Sequence, residues 1–179
     1  MRKRIAIDMD EVIADFLTKI LRVYKERYGE DLPKEAYWGK KVYQNSGLEP
    51  LRDELYKKGF FRDFPVIEGA QEGVKALMEH YDVFITTAAM EFRNCFEDKY
   101  DWMLEHFPFV HWKNIVFCGD KSVFNTEYMI DDHAYNLETF RGKGLLFTAP
   151  HNVNETRFTR VNNWSEVLAF FEEERKKEQ

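Results

Sequence analysis

The stretch RIAIDMD, residues 4–10, is a short apolar run that ends in two carboxylates. An apolar run of this length is typical of a buried parallel strand, because helices cover both faces of such a strand. The two acids, Asp8 and Asp10, then fall just beyond the carboxyl end of the strand, where open parallel sheets bind their ligands. The stretch therefore predicts a parallel sheet with a candidate site at these two residues.

Strands and helices alternate along the rest of the chain. A helical pattern with apolar residues at three- and four-residue spacing follows the first strand and ends at Gly29. Further helices alternate with four apolar runs at residues 83–87, 115–118, 128–131 and 145–148, and a last helix begins near Trp164. This alternation predicts a doubly wound α/β fold, with helices on both faces of a parallel sheet.

The composition is that of a globular chain of 179 residues, with 44% hydrophobic and 32% charged residues. A net charge of −6 gives no basic surplus, so we expect neither a nucleic-acid polymer nor a membrane as partner. No signal peptide or spanning segment is recognisable, which predicts a cytoplasmic protein. Cys95 and Cys118 are expected to be free thiols. The oligomeric state is left open.

Polar residues collect at the ends of the predicted strands. Thr87 ends the second strand, Lys121 follows the third, and Asp131 and Asp132 end the fourth. Carboxylates gathered at neighbouring strand ends raise one another's pKa values unless a cation lies among them. Mg²⁺ suits this role, because it prefers oxygen ligands and combines one or two carboxylates with a substrate phosphate. Calcium stays possible by ligand type, whereas the scattered histidines and cysteines disfavour zinc.

These residue types are also the ones that phosphoryl transfer needs. One carboxylate can attack phosphorus as a nucleophile. A second carboxylate two residues later can protonate the leaving oxygen and then activate water. A threonine hydroxyl and a lysine can bind the phosphate oxygens. The strand ends therefore predict a phosphatase site.

The chain resembles the haloacid-dehalogenase superfamily through four motifs in order: DMD at residues 8–10, Thr87, Lys121, and the acidic pair at residues 131–132. The segments DMDEVIADF (8–16), YW (37–38), GFF (59–61) and KYDW (99–102) are similar to those of the 5'(3')-deoxyribonucleotidases. The resemblance implies a strand order of 3-2-1-4-5. It also implies a catalytic core at residues 1–13 and 69–179, with a small helical cap at residues 14–68.

The resemblance further implies the chemistry of the site. Asp8 would be the nucleophile, and Asp10 the acid-base residue whose backbone carbonyl also binds the metal. Asp8 and Asp132 would be the carboxylate ligands of Mg²⁺, and Asp131 would hold the site together from outside the ligand set. The implied reaction is magnesium-dependent hydrolysis of deoxyribonucleoside 5'(3')-monophosphates through an aspartyl-phosphate intermediate. The substrate is thus a small phosphomonoester.

The substrate contacts follow from the same resemblance. Thr87 and Lys121 would bind the phosphate. Phe16, Tyr37 and Trp38 would line the nucleoside pocket, although Phe16 also fits the apolar stripe of its helix and so fits core packing. Two other assignments stay open. Thr86 is an alternative to Thr87, and Lys99 fits a solvent-facing helix position as well as a site position, so it is not included in the predicted site.

Three departures from the family pattern concern the substrate more than the chemistry. Glu11 stands where many relatives have glycine, Ala88 where vertebrate members have serine, and His133 where arginine is common. Two other functions therefore remain as alternatives. One is a phosphatase for another metabolite, such as a sugar phosphate. The other is a phosphate-binding module without turnover.

Overall fold

The computed structural model describes residues 2–177, which form one six-stranded parallel sheet with helices on both faces. The strands are β1 (Arg4–Asp8), β2 (Asp82–Thr87), β3 (Ile115–Phe117), β4 (Tyr128–Asp131), β5 (Lys143–Phe147) and β6 (Thr159–Val161). Their order is β3-β2-β1-β4-β5-β6. The predicted fold class and the order 3-2-1-4-5 are confirmed, and β6 is an additional edge strand that the sequence analysis did not predict.

Residues 2–177 contain six α-helices, of which five lie between strands and the last follows β6. They are α1 (Phe16–Tyr28), α2 (Leu51–Glu54), α3 (Ala70–Met78), α4 (Cys95–His106), α5 (Ala134–Thr139) and α6 (Trp164–Lys176). Helix α1 begins where the Asp15 side chain accepts a hydrogen bond of 2.8 Å from the Thr18 N–H. It ends at Gly29, whose φ of 77° lies in the left-handed region that glycine adopts without strain.

The central strand β1 is buried on both faces. Ile5 and Ile7 face the larger core, to which α1, α3, α4 and α6 contribute, whereas Ala6 faces a smaller core that includes Leu137 of α5. Because β1 lies between β2 and β4, the chain winds outward from it in both directions. A crevice is therefore expected at its carboxyl end, where Asp8 lies.

Helix α6 fixes the loop that follows β1. The indole N–H of Trp164 donates a hydrogen bond of 2.9 Å to the carbonyl of Val12. The indole ring packs so closely on α3 that a Cβ at Gly73 would overlap it. The buried Trp164 side chain thus fixes the loop that carries Asp10.

The segment between β1 and α3 contains α1, α2 and the 3₁₀ turns Lys34–Ala36 and Val42–Gln44. Its buried aromatic rings pack against one another: Phe60 meets Phe61 and Phe64 edge-on, and Phe61 and Phe64 are tilted by 54°. The indole of Trp102 on α4 donates a hydrogen bond of 2.8 Å to the carbonyl of Phe64. This segment is the predicted cap, and its role as a cap is still a prediction.

Two further expectations concern the whole described chain. Cys95 and Cys118 are free thiols, as predicted. Within residues 2–177, every helix is too short or too polar to cross a bilayer.

Candidate active site

One buried ammonium joins two buried carboxylates at the base of the crevice. Asp8 ends β1, Asp131 ends β4, and Lys121 begins the 3₁₀ turn Lys121–Val123 after β3. The Nζ atom of Lys121 lies 2.5 Å from Oδ1 of Asp8 and 2.6 Å from Oδ2 of Asp131. Burial alone would lower the pKa of Lys121, but the two carboxylates outweigh it and raise the pKa. Lys121 is therefore a fixed positive charge.

Asp131 is held by donors on several sides. Its Oδ1 accepts a hydrogen bond of 2.8 Å from the His133 N–H, and the Asn136 amide donates to both carboxylate oxygens at 3.0 Å. Together with Lys121, these donors occupy both oxygens of Asp131. This arrangement suits a residue that positions other groups.

Asp132 has the opposite surroundings, although it is the next residue. It is buried, and its Oδ1 has no hydrogen-bond partner within residues 2–177. Burial raises its pKa well above the usual value, and the charges of Asp8 and Asp131 add to the shift. A buried carboxylate oxygen without a donor is costly unless a cation lies beside it.

Oxygen atoms of Asp8, Asp131 and Asp132 lie within 4.8 Å of one another. Burial raises the pKa of Asp8 to about 6; Lys121 opposes this shift, and Asp131 and Asp10 add to it. This is the electrostatic signature of a cluster with too much negative charge. An all-oxygen donor set with an unpartnered oxygen fits a hard divalent metal ion.

Lys99, which sequence reasoning did not include in the site, lies in it. Its Nζ lies 2.5 Å from Oδ2 of Asp10 and 2.7 Å from Oγ1 of Thr87. The Lys99 side chain is only 2% exposed. Oδ1 of Asp10 is buried and has no hydrogen-bond partner within the part of the chain that the structure describes. Oδ2 of Asp10 is therefore paired with Lys99, whereas Oδ1 has no partner among the described residues.

The structure separates the two candidate threonines. Thr86 donates a hydrogen bond of 3.3 Å to the carbonyl of Ile7 and so stabilises the sheet. Thr87 accepts the hydrogen bond from Lys99 and is buried, and it is not among the residues that line the cavity. Thr87 thus lies near Asp10, and its contact with phosphate is still a prediction.

A cavity with an empty volume of about 960 Å³, including its open mouth, lies over the strand ends. Phe16 and Tyr37 line it together with Asp8, Asp10 and Lys121. Their contact with a nucleoside is still a prediction.

Trp38 differs from the expectation. It is 47% exposed and is not part of the cavity wall. The Lys34 ammonium lies over its ring at 3.7 Å from the centroid, which is a cation–π contact at the surface. Adjacent residues of an irregular segment point in different directions, so the Tyr37-Trp38 pair cannot serve as a unit.

Two histidines line the cavity beside Asp132. His133 follows it in sequence, and His151 belongs to the 3₁₀ turn Pro150–Asn152 after β5. Burial lowers the pKa of His133 to about 2 and that of His151 to about 4, and the Lys41 charge adds to both shifts. Both imidazoles are therefore neutral near pH 7. The sequence singled out His133 only by its position, and no motif pointed to His151.

Glu11 also lines the cavity, in an unusual conformation. Its φ of 60° makes it the one residue other than glycine with a positive φ within residues 2–177. Oε1 accepts a hydrogen bond of 2.6 Å from the Leu17 N–H at the start of α1. Burial raises its pKa to about 8, with Asp15 adding to the shift. Many relatives have glycine at this position, and glycine adopts a positive φ freely. Glu11 therefore has a backbone conformation that suits the glycine of those relatives.

A family model described as "5' nucleotidase, deoxy (Pyrimidine), cytosolic type C protein" matches residues 2–176. The chain belongs to this family of 5'(3')-deoxyribonucleotidases. The resemblance to the 5'(3')-deoxyribonucleotidases, inferred from the segments at residues 8–16, 37–38, 59–61 and 99–102, is thereby confirmed.

Two relatives illustrate the similarity. A 5'(3')-deoxyribonucleotidase of Bacillus subtilis is 42% identical over 170 residues, which cover 93% of this chain and 97% of the relative. A Staphylococcus epidermidis protein, provisionally named a 5'(3')-deoxyribonucleotidase, is 47% identical over 174 residues, covering 95% and 96% of the two chains. The similarity of this deoxyribonucleotidase-family chain to both therefore extends over almost their full lengths.

Solved structures of haloacid-dehalogenase hydrolases share the fold. A hydrolase of Deinococcus radiodurans, solved with bound phosphate and sodium, has a TM-score of 0.64 at 14% identity and covers 96% of both chains. A provisionally assigned hydrolase of Bacillus subtilis, bound to magnesium, has a TM-score of 0.60 at 14% identity and covers 94% of this chain and 98% of that one. At such identities the likeness concerns the fold alone.

Proposed function

We propose that this protein hydrolyses deoxyribonucleoside 5'- or 3'-monophosphates to nucleoside and phosphate, with Mg²⁺ as its cofactor. The observation that carries the proposal is the contrast between two carboxylates at the strand ends, one paired with an ammonium and the other with an unpartnered oxygen. Asp8, paired with the fixed charge of Lys121, lies beside Asp132, whose Oδ1 has no partner within residues 2–177. Membership of the deoxyribonucleotidase family supplies the substrate class.

Asp8 is the nucleophile of the proposed reaction. Its carboxylate attacks phosphorus and forms an aspartyl phosphate, while Lys121 neutralises charge at the base of the site. The Lys121 charge also favours the ionised form of Asp8, which the attack requires. Asp131 keeps the ammonium of Lys121 in place.

Asp10 moves the proton. Lys99 fixes Oδ2 of Asp10, and the Asp10 carboxyl group protonates the leaving oxygen. The resulting carboxylate then accepts a proton from the water that hydrolyses the aspartyl phosphate. Lys99 stays bound to Oδ2 and to Thr87 throughout, which makes it a positioning residue for Asp10.

The metal would be held by the carboxylates of Asp8 and Asp132 and by the backbone carbonyl of Asp10. When bound, Mg²⁺ neutralises the negative charge between the carboxylates and the phosphate oxygens. The all-oxygen donor set is the reason for preferring Mg²⁺ to a softer ion.

Residues 14–68 act as the cap in this proposal. Phe16 and Tyr37 reach the cavity from this segment, together with Lys41. A cap closed over the phosphate excludes bulk water during transfer and contacts the leaving nucleoside. An apolar pocket rejects an added hydroxyl only weakly, so the preference over ribonucleotides should be partial.

The test is phosphate release from dUMP, dTMP, 3'-dUMP, UMP and several sugar phosphates, with Mg²⁺ or with chelator. Asp8→Asn is the control for the nucleophile. Release from the deoxynucleotides that chelator stops and Asp8→Asn lacks is the expected result. Release from sugar phosphates alone would keep the chemistry and reject the substrate, and an absence of all release would favour the binding-module alternative.

A further inference from the structure

Two histidines that the proposed reaction does not use meet the carboxylate of Asp132 in the cavity wall. Oδ2 of Asp132 lies 3.4 Å from Nε2 of His151 and 3.8 Å from Nε2 of His133. One ligand atom from each of the three residues falls within 4.8 Å of the other two. A tetrahedral ion with ligand distances of about 2.0–2.1 Å has ligand atoms about 3.4 Å apart, which these separations approach.

The three groups are held in place by contacts of their own. The His133 ring stacks on Tyr135, with centroids 5.0 Å apart and planes 25° apart. Asn152, which shares a turn with His151, donates hydrogen bonds of 2.8 Å to the backbone carbonyls of Asp132 and Phe147. The site is therefore largely preformed, which lowers the cost of binding an ion.

One donor atom of this cluster has no other partner. Nε2 of His151 is buried and has no hydrogen-bond partner among residues 2–177. The Asp132 side chain is 3% exposed. A neutral imidazole nitrogen is a good ligand for zinc-like ions and a poor one for magnesium.

We propose that Asp132, His133 and His151 form a second cation site, which takes a d-block divalent ion such as Zn²⁺ or Co²⁺. Oδ2 of Asp132 faces this site, and Oδ1 remains for the magnesium of the reaction. Because both ions draw on one carboxylate, an ion at the second site weakens the hold on Mg²⁺. The predicted consequence is inhibition of the phosphatase by zinc at constant magnesium.

Cobalt tests the site directly, because Co²⁺ in a low-coordinate nitrogen-containing site absorbs visible light far more strongly than octahedral Co²⁺ bound to oxygens. We would titrate Co²⁺ into the protein in excess Mg²⁺, and then add Zn²⁺. Strong absorption that survives excess Mg²⁺ and is displaced by Zn²⁺ is the expected result. Weak absorption that Mg²⁺ abolishes would mean binding at the magnesium site only, and would overturn the proposal.

The matched variants are His133→Phe and His151→Phe, which keep a ring of similar size and remove the ligand nitrogen. Each should weaken Co²⁺ binding at least about tenfold, since even residues that only orient a ligand change metal affinity about 10–100-fold. The exposed His80 gives the control His80→Phe, which should bind Co²⁺ like wild type. Thermal unfolding without metal checks that all three variants fold.

Unchanged Co²⁺ affinity in both folded variants would refute the second site. Zinc inhibition provides the independent readout, and the zinc concentration for half inhibition should rise at least about tenfold in the two site variants. The cobalt spectrum requires no substrate, so a failure of the proposed hydrolase activity would leave this test intact.

Discussion

The ammonium of Lys99 lies 2.5 Å from Oδ2 of Asp10, so an ion pair joins helix α4 to the loop after β1. The Lys99 side chain is buried, and its other hydrogen bond goes to Thr87 at the end of β2. A buried lysine needs such partners, because an unpaired ammonium is costly in the protein interior. The three residues therefore form one unit that fixes the direction of the Asp10 carboxylate.

Removal of this ammonium should impair the proton transfers. Lys99→Met keeps the length of the side chain but releases Oδ2 of Asp10, so we expect kcat to fall about 10–100-fold, a part of what acid-base catalysis contributes. KM for a deoxynucleotide should change little, because Lys99 acts through Asp10. Lys113→Met, at an exposed position, is the control. A rise in KM at unchanged kcat would contradict the positioning role.

Asp131 and Asp132 should respond differently to the same substitution. Asp132→Asn removes a metal ligand and should weaken Mg²⁺ binding at least about tenfold in a calorimetric titration, with little loss of thermal stability. Asp131→Asn breaks a buried ion pair with Lys121 and should cost about 3–5 kcal/mol, which lowers Tm by about 6–20 °C. Equal changes of Mg²⁺ affinity and Tm in the two variants would show that the residues share one role.

The sequence predicted the sheet and the residues at its strand ends for the same reason. Apolar runs mark buried strands, and polar residues directly after them must lie at one edge of a parallel sheet. This rule holds for Asp8, Asp131 and Asp132. Lys121 lies one short loop after the end of β3. The short β6 was not predicted, because its three residues, Thr159–Val161, carry too little apolar pattern to show a strand.

Residues that reach the site from helices and loops were harder to predict. Lys99 does carry a signal, because it falls on the buried stripe of α4 with Cys95, Trp102 and Met103, at three- and four-residue spacing. A lysine on such a stripe needs a buried partner. His151 carries no comparable signal, because its position depends on how the turn after β5 packs against Asp132.

Glu11 makes the stability of the metal-free protein depend on pH. Its pKa is raised by burial to about 8 in the folded state, above its value of 4.5 in the unfolded chain. The folded state therefore binds the Glu11 proton more tightly than the unfolded chain does. The free energy of unfolding is highest below about pH 4.5 and decreases as the pH rises to about 8. Glu11→Gln stays neutral and can still accept the hydrogen bond from the Leu17 N–H.

The variant should consequently be more stable than wild type at pH 9, by at least about 1 kcal/mol, with a much smaller difference at pH 5. Urea unfolding in chelator at the two pH values measures this. The exposed Glu68 gives the control Glu68→Gln, which should change both free energies of unfolding alike. A Glu11→Gln effect of the same size at both pH values would show that the Glu11 charge does not cause it.

Tyr37 and Trp38 are neighbours, and only Tyr37 lines the cavity. If Tyr37 contacts the nucleoside, Tyr37→Leu should raise KM for dUMP by about 5–150-fold, which corresponds to the roughly 1–3 kcal/mol of one base–aromatic stacking contact. Trp38→Leu should leave KM near the wild-type value, because that ring lies at the surface beneath Lys34. For a sugar phosphate, which has no base, Tyr37→Leu should change KM far less. Steady-state phosphate release with both substrates and both variants measures this, and a KM effect of Trp38→Leu as large as that of Tyr37→Leu would place the nucleoside elsewhere.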